Sequence, residues 1–196
     1  MTVTTREHYD LLIDENNDPA RDPEPLQAYM DKWDGEPFLA ELQLSPDKSV
    51  LEIGVGTGRL AMRVQDKCKR FTGIDISPKT IARAEENLGG GSDLVCGDFL
   101  SFEFSEKFDV IYSSLTFMHI YNKRAAIQKT ASILNSGGRF VLSIDKNTTE
   151  NIDYGDRSVD VYPDSAEEIS ALLSESGFTI EKQFETEFAV IFSAVA

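Results

Sequence analysis

Between residues 49 and 145 the chain alternates strand and helix through five short apolar runs, and that alternation leaves few folds open. The runs are 50–53, 71–75, 93–96, 108–114 and 139–145, each too short for a helix and bounded by turn residues. Amphipathic segments lie between them. They present Leu60, Ala61 and Val64, then Ile81, Ala84 and Leu88, then Ala126, Ile127, Thr130, Ile133 and Leu134 on one face. Such a chain predicts a parallel sheet with helices on both faces and ligands at the carboxyl ends of the strands. Two further runs, 178–180 and 188–192, are too close together for a crossover, so the last two strands are expected to be antiparallel.

The first run breaks at once into Gly54-Val55-Gly56-Thr57-Gly58. Glycines at alternate positions let the backbone turn tightly and come close to a ligand, and the N–H groups of the helix that follows are expected to face the same spot. The dinucleotide pattern G-x-G-x-x-G fails here, because its third glycine would fall on Arg59. Asp75 ends the second run 21 residues after Gly54, where nucleotide folds put a carboxylate that accepts from ribose hydroxyls; it could also be a capping acid. Gly97-Asp98-Phe99 ends the third run, where a carboxylate can accept from an exocyclic amine and a ring can stack on a base.

Acidic residues outnumber basic ones 34 to 19, a formal net charge of −15, which disfavours a nucleic-acid partner. Two isolated cysteines support neither a disulfide framework nor a metal site, and reduced thiols in a cytoplasmic protein are the expectation. Asp153, Asp156, Asp160 and Asp164 do not match a calcium loop and read as solvated charge, so no metal is expected. No apolar run is long enough to span a membrane. Cys96 reads as a small core residue and His8 as solvated in a polar tail.

Residues 1–48 are expected to form helices that cover a sheet edge or close over the site, leaving 49–196 as the ligand-binding domain. Leu26, Tyr29, Met30 and Trp33 share one helical face, and Phe38, Leu39 and Leu42 face inward.

The motifs VLEIGVGTGRL, GIDIS, GDF, FDVIYSSLTFMHI, the GG before RFVLSID and the SGF before the last hairpin, in that order, resemble the class I S-adenosylmethionine-dependent methyltransferases over about three quarters of the chain. The resemblance implies an α/β, Rossmann-like doubly wound sheet of seven strands, order 3-2-1-4-5-7-6 with strand 7 antiparallel. It implies S-adenosyl-L-methionine as cofactor, S-adenosyl-L-homocysteine as product and a small-molecule methyl acceptor, in a monomer or weak homodimer. Glu52, Gly54, Gly56 and Gly58 would form the floor under the methionine part, and Asp75 would take the ribose hydroxyls. Ile76, Asp98 and Phe99 would hold adenine, and Ser113 and Leu115 would touch the cofactor from the loop after strand 4. Tyr9 looks like the N-terminal tyrosine that small-molecule members bring over the cofactor.

A base is needed only where the acceptor must lose a proton. His119 is one candidate, since imidazole titrates near neutrality, though a histidine satisfied by backbone groups at a helix start would look the same. Asp145 at the tip of the fifth strand is another. The N-P-P-[YF] signature of many amino-methylating members is absent, that position reading Ser113-Ser114-Leu115-Thr116. A non-catalytic module on the same fold is therefore the competing reading, and a nicotinamide oxidoreductase is a third, with Arg59 against it.

Overall fold

The computed structural model describes residues 1–196. The N-terminal segment forms β1 (Thr2–Val3), α1 (Thr5–Asp14), α2 (Glu24–Met30) and α3 (Gly35–Glu41). Next come β2 (Ser49–Ile53), α4 (Ala61–Val64), β3 (Arg70–Asp75), α5 (Pro78–Leu88), β4 (Asp93–Cys96) and β5 (Phe108–Ser114). Then follow α6 (Lys123–Ile133), β6 (Leu134–Asp145), β7 (Asn151–Asp153), β8 (Ser158–Asp160), α7 (Ala166–Glu175), β9 (Thr179–Glu185) and β10 (Ala189–Val195).

Seven strands form one sheet in the order β4-β3-β2-β5-β6-β10-β9, with β10 antiparallel to both neighbours. Counted within that sheet, this is 3-2-1-4-5-7-6, the expected order. β2 lies inside the sheet between β3 and β5 and is buried on both faces, as a strand covered by helices above and below must be. Successive side chains alternate between two cores. Leu51, Ile111, Phe140 and Leu142 pack with Ile127 and Leu173 on one face, while Val50, Tyr112 and Val141 pack with Phe38, Leu42 and Val64 on the other. The helix starts follow the sequence signals: Ser77, Asn122 and Ser165 accept from the N–H groups of Thr80, Ala125 and Glu168, and Gly89 ends α5 at φ +70°.

Several features depart from expectation. The polar stretch after β6 contains β7 and β8, which join β1 in a separate three-stranded sheet. Helix α2 buries none of its residues; Leu26 and Tyr29 are about half exposed, and Trp33 packs on Phe188 rather than in the core. His8 is 1% exposed, with Nδ1 accepting from Arg157 Nε at 3.2 Å, because Arg157 folds back from β8 onto α1. Cys96 is exposed, since β4 is the edge of the sheet. Asp164 is buried and paired with Lys123 at 2.9 Å, not solvated. β6 begins at Leu134, ahead of the glycine pair expected to precede it, and its register against β5 shifts there. No helix is long and apolar enough to cross a membrane.

Candidate active site

A cavity of about 270 Å³ opens at the carboxyl ends of β2, β3, β4 and β5. Its floor is the turn after β2, where Gly54 and Gly56 have φ of +77° and +56°. A Cβ on Gly54 would lie 1.9 Å from Thr116 Oγ1, so only glycine lets the loop after β5 sit on the turn. A Cβ on Gly56 would meet nothing within 4 Å, which leaves open space above that residue.

The turn holds itself by backbone bonds: Gly54 and Val55 donate to Ile74 O, and Gly58 donates to Val55 O. Gly56 N donates to Asp75 Oδ2 at 3.0 Å and Ser77 N to Oδ1 at 3.0 Å, fixing the Asp75 carboxylate at the rim. The helix expected after the glycines is present but short, α4 being a single turn. Burial pushes the Asp75 carboxyl up, against these backbone donors.

Glu52, 3% exposed, accepts from the Tyr112 hydroxyl at 2.8 Å. Burial raises its carboxyl to about 8, so it keeps its proton at neutral pH. Arg59 enters the cavity wall and pairs with the fully buried Asp34, whose Oδ2 also accepts from Ser114 Oγ at 2.8 Å. One carboxylate thus ties the N-terminal segment, the glycine turn and the loop after β5 together. At the far end, Asp98 accepts from Leu100 N and Ser101 N, Phe99 is mostly buried in the core, and Ile76 stands 36% exposed beside them.

The fourth wall comes from the N-terminal segment, which contributes Thr5, Tyr9, Pro19 and Met30. Tyr9 OH and His119 Nε2 are 2.9 Å apart across the top of the cavity. Burial holds His119 down to about 4, so the neutral imidazole persists and its expected titration near pH 7 does not hold. Its Nδ1 is buried without a partner. Asp18 accepts from Ala20 N and from Asn87, which also donates to Thr57 O, so Pro19 is strapped to the glycine turn.

Of the residues predicted from sequence, Tyr9, Glu52, Gly54, Gly56, Asp75, Ile76, Asp98, Phe99, Leu115 and His119 line this one cavity. Gly58, Ser113 and Asp145 do not. Gly58 turns toward Leu88, Ser113 Oγ donates to Ile53 O within the sheet, and Asp145 accepts from Asn147 N. Ser114 takes the place expected for Ser113. Strand alternation carried the signal, for Ser114 shares a face with Tyr112, which is bonded to Glu52.

Residues 51–142 match the family described as a methyltransferase domain. A protein of Geobacillus thermodenitrificans (strain NG80-2), named an uncharacterized methyltransferase, is 33% identical over 121 residues, 60% of this chain and 56% of its own length. This chain spans about half the length of the curated relatives it matches. Among solved structures, N-methyltransferase NodS from Bradyrhizobium japonicum WM9, in complex with S-adenosyl-L-homocysteine, superposes with a TM-score of 0.73 at 21% identity, covering 98% of both chains. Magnesium protoporphyrin IX methyltransferase (ChlM) from Synechocystis PCC 6803, with bound S-adenosyl-L-homocysteine, gives 0.76 at 18% identity, covering 97% of this chain and 96% of that one. Over residues 51–142 the chain is similar to the methyltransferase domain family, and it has the fold of the class I S-adenosylmethionine-dependent methyltransferases.

Proposed function

We propose that this protein is an S-adenosylmethionine-dependent methyltransferase acting on a small-molecule acceptor. The observation that carries the reading is the Asp75 carboxylate, held by two backbone donors at the rim of the cavity whose floor is Gly54 and Gly56. The residues suit an adenosyl group. Open space above Gly56 lets a ligand lie on the backbone, and Asp75 can accept from ribose hydroxyls. Ile76 offers an apolar platform for the base, with Asp98 and the edge of Phe99 at its end. Glu52 closes the floor beneath the methionine part, and Leu115 covers it.

When bound, S-adenosylmethionine supplies a sulfonium-activated methyl group open to direct displacement. The protein's share is to align the acceptor and exclude water, which the wall built by residues 1–48 does here as a cover over the cavity. Asp145 lies outside the cavity, and His119 is too weak a base to act near neutrality, so His119 serves as the partner that orients Tyr9. Those same two facts favour the competing reading, a module that binds without turnover.

Isothermal titration tests both. Wild type should bind S-adenosylhomocysteine at about micromolar Kd or tighter, and Asp75→Ala should weaken binding roughly tenfold or more. Absence of binding by wild type ends the reading; binding with no methyl transfer to any member of a metabolite library leaves the module.

A further inference from the structure

We infer that the acceptor is an aliphatic amine, taken up as the free base and oriented by Tyr9 and His119. The inference rests on the methyltransferase reading and narrows it.

Charge in the cavity disfavours an anionic acceptor. The ionisable residues along its walls are Asp75, Asp98, Arg59, His119 and Glu52, the last held in its neutral form by burial. Arg59 is committed, to Asp34 with both terminal nitrogens and to Asp31 at 3.2 Å. No cation is left for a carboxylate or phosphate, and the protein's net charge of −15 draws cations to the rim and repels anions. An ammonium that reaches the rim sheds its proton to solvent as it enters, because burial disfavours the charged form.

The wall around His119 has no formal charge but has a defined hydrogen-bond polarity. Beside Tyr9, which touches His119, the cavity is lined by the uncharged Thr5, Met30, Leu115 and Ile120. With Tyr9 donating to His119 Nε2, the one unmet group is the Nδ1–H. Were Nε2 the donor, both the phenol O–H and the Nδ1 lone pair would go unmet. The first arrangement leaves fewer orphans, and it turns the lone pairs of the Tyr9 oxygen outward as acceptors. The acceptor must then bring an N–H or O–H.

Charge balance selects the amine. Its lone pair forms the N–C bond while the S–C bond breaks and that electron pair returns to sulfur. Positive charge passes from sulfur to nitrogen, and the free base, once formed at the rim, has no further proton to lose before attack. The charge stays within a cavity whose wall carries the carboxylates of Asp75 and Asp98. An alcohol would need a base that neither His119 nor the distant Asp145 provides. A conjugated amino group, with a delocalised lone pair, would need a polar clamp that Ser114-Leu115-Thr116 does not form, since Ser114 is bonded to Asp34 and Thr116 Oγ1 to Ser114 O.

Titration with S-adenosylhomocysteine first checks the methyltransferase reading alone. With that binding intact, transfer of labelled methyl from S-adenosylmethionine is measured to benzylamine, putrescine, benzyl alcohol and phenylacetate separately. At least one amine should exceed the alcohol and the carboxylate by about tenfold in kcat/KM. Tyr9→Phe, which keeps the ring, should lower amine transfer about tenfold while changing the S-adenosylhomocysteine Kd by less than about threefold. Preference for alcohol or carboxylate, transfer to neither amine, or unaltered amine transfer by Tyr9→Phe overturns the inference.

Discussion

The floor and the roof of the cavity are built by different means. The floor is backbone: Gly54, Val55, Gly56 and Gly97 all bond main chain or carboxylate at the end of β3, and the register of adjacent parallel strands fixes every one. The roof is side chains reaching over long stretches of sequence. Tyr9 meets His119 110 residues away, Asp18 meets Asn87 across 69, and Glu15 meets Arg157 across 142. A backbone floor tolerates no intrusion and fails as a whole, whereas a roof of polar ties can open piece by piece while the sheet stays folded.

The sharpest way to break that contrast is at Gly54. Gly54→Val combines a left-handed φ with a Cβ overlapping Thr116, and both strain and overpacking are expected to cost together about 4 kcal/mol. Urea midpoints should fall accordingly, and titration should detect no S-adenosylhomocysteine binding. A variant of wild-type stability would mean that the loop after β5 is free to move aside, and the floor would be no more rigid than the roof.

A buried tie behind the loop that carries His119 comes next. Lys123 is buried with Asp164 and also donates to Phe117 O and Tyr162 O, joining the loop after β5 to the segment that leads into α7. Lys123→Met leaves Asp164 buried and unpaired, an expected loss of about 3 kcal/mol in urea denaturation. The double variant Lys123→Met, Asp164→Leu should recover most of it, because the penalty lies in the orphaned charge. Failure to recover would assign the loss to the two carbonyl bonds instead.

The same contrast explains what could be read before the structure. Strand ends, helix caps and the glycine turn are local, and Ser77, Asn122 and Asp75 sit where short-range chemistry put them. The burial of His8 depends on Arg157, 149 residues later, so a polar neighbourhood in sequence gave the wrong answer. Helix α2 shows why periodicity alone falls short: it identifies an apolar face but not what covers it, and here Lys32 Nζ lies over the Tyr29 and Phe188 rings at the surface. The strands β7 and β8 are three residues each with a single apolar residue, Ile152 and Val159, too short a pattern to announce a strand, and they pair with β1 outside the central sheet.

A smaller effect separates roof from floor by pH. His119 in the roof titrates at about 4 when folded, below its ordinary 6.5. As pH falls through 6.5 the unfolded chain takes up the proton and the folded chain does not, so the stability His119 contributes above 6.5 is lost between 6.5 and about 4. The loss is on the order of 3 kcal/mol. Glu52 in the floor has the opposite sign: raised to about 8, it contributes fully below 4.5 and less as pH rises through 8. The two slopes oppose each other between 4.5 and 6.5. The measurement is therefore the difference between wild type and His119→Gln in urea midpoint across that range. It should shrink as the pH is lowered; a constant difference would mean that His119 charges freely in the folded protein.

The least disruptive change tests whether the roof opens by itself. Arg157 donates to Glu15 at 2.6 and 2.8 Å and to His8 Nδ1 at 3.2 Å, and β1 is paired to β8 beside it, so it is one of the ties that hold α1, with Tyr9–His119 and the bond that Ser77 Oγ donates to Asp10 at 2.7 Å. Arg157→Leu should speed limited proteolysis within the first 23 residues about tenfold, with little change in the urea midpoint of the sheet. S-adenosylhomocysteine affinity should weaken only a few-fold, since Tyr9 supplies one wall of four while Asp75 and the glycine turn stay in place. If the global midpoint instead falls as far as it does for Lys123→Met, then α1 unfolds only with the sheet. In that case the roof is a structural part of the core, and ligand must enter without its opening.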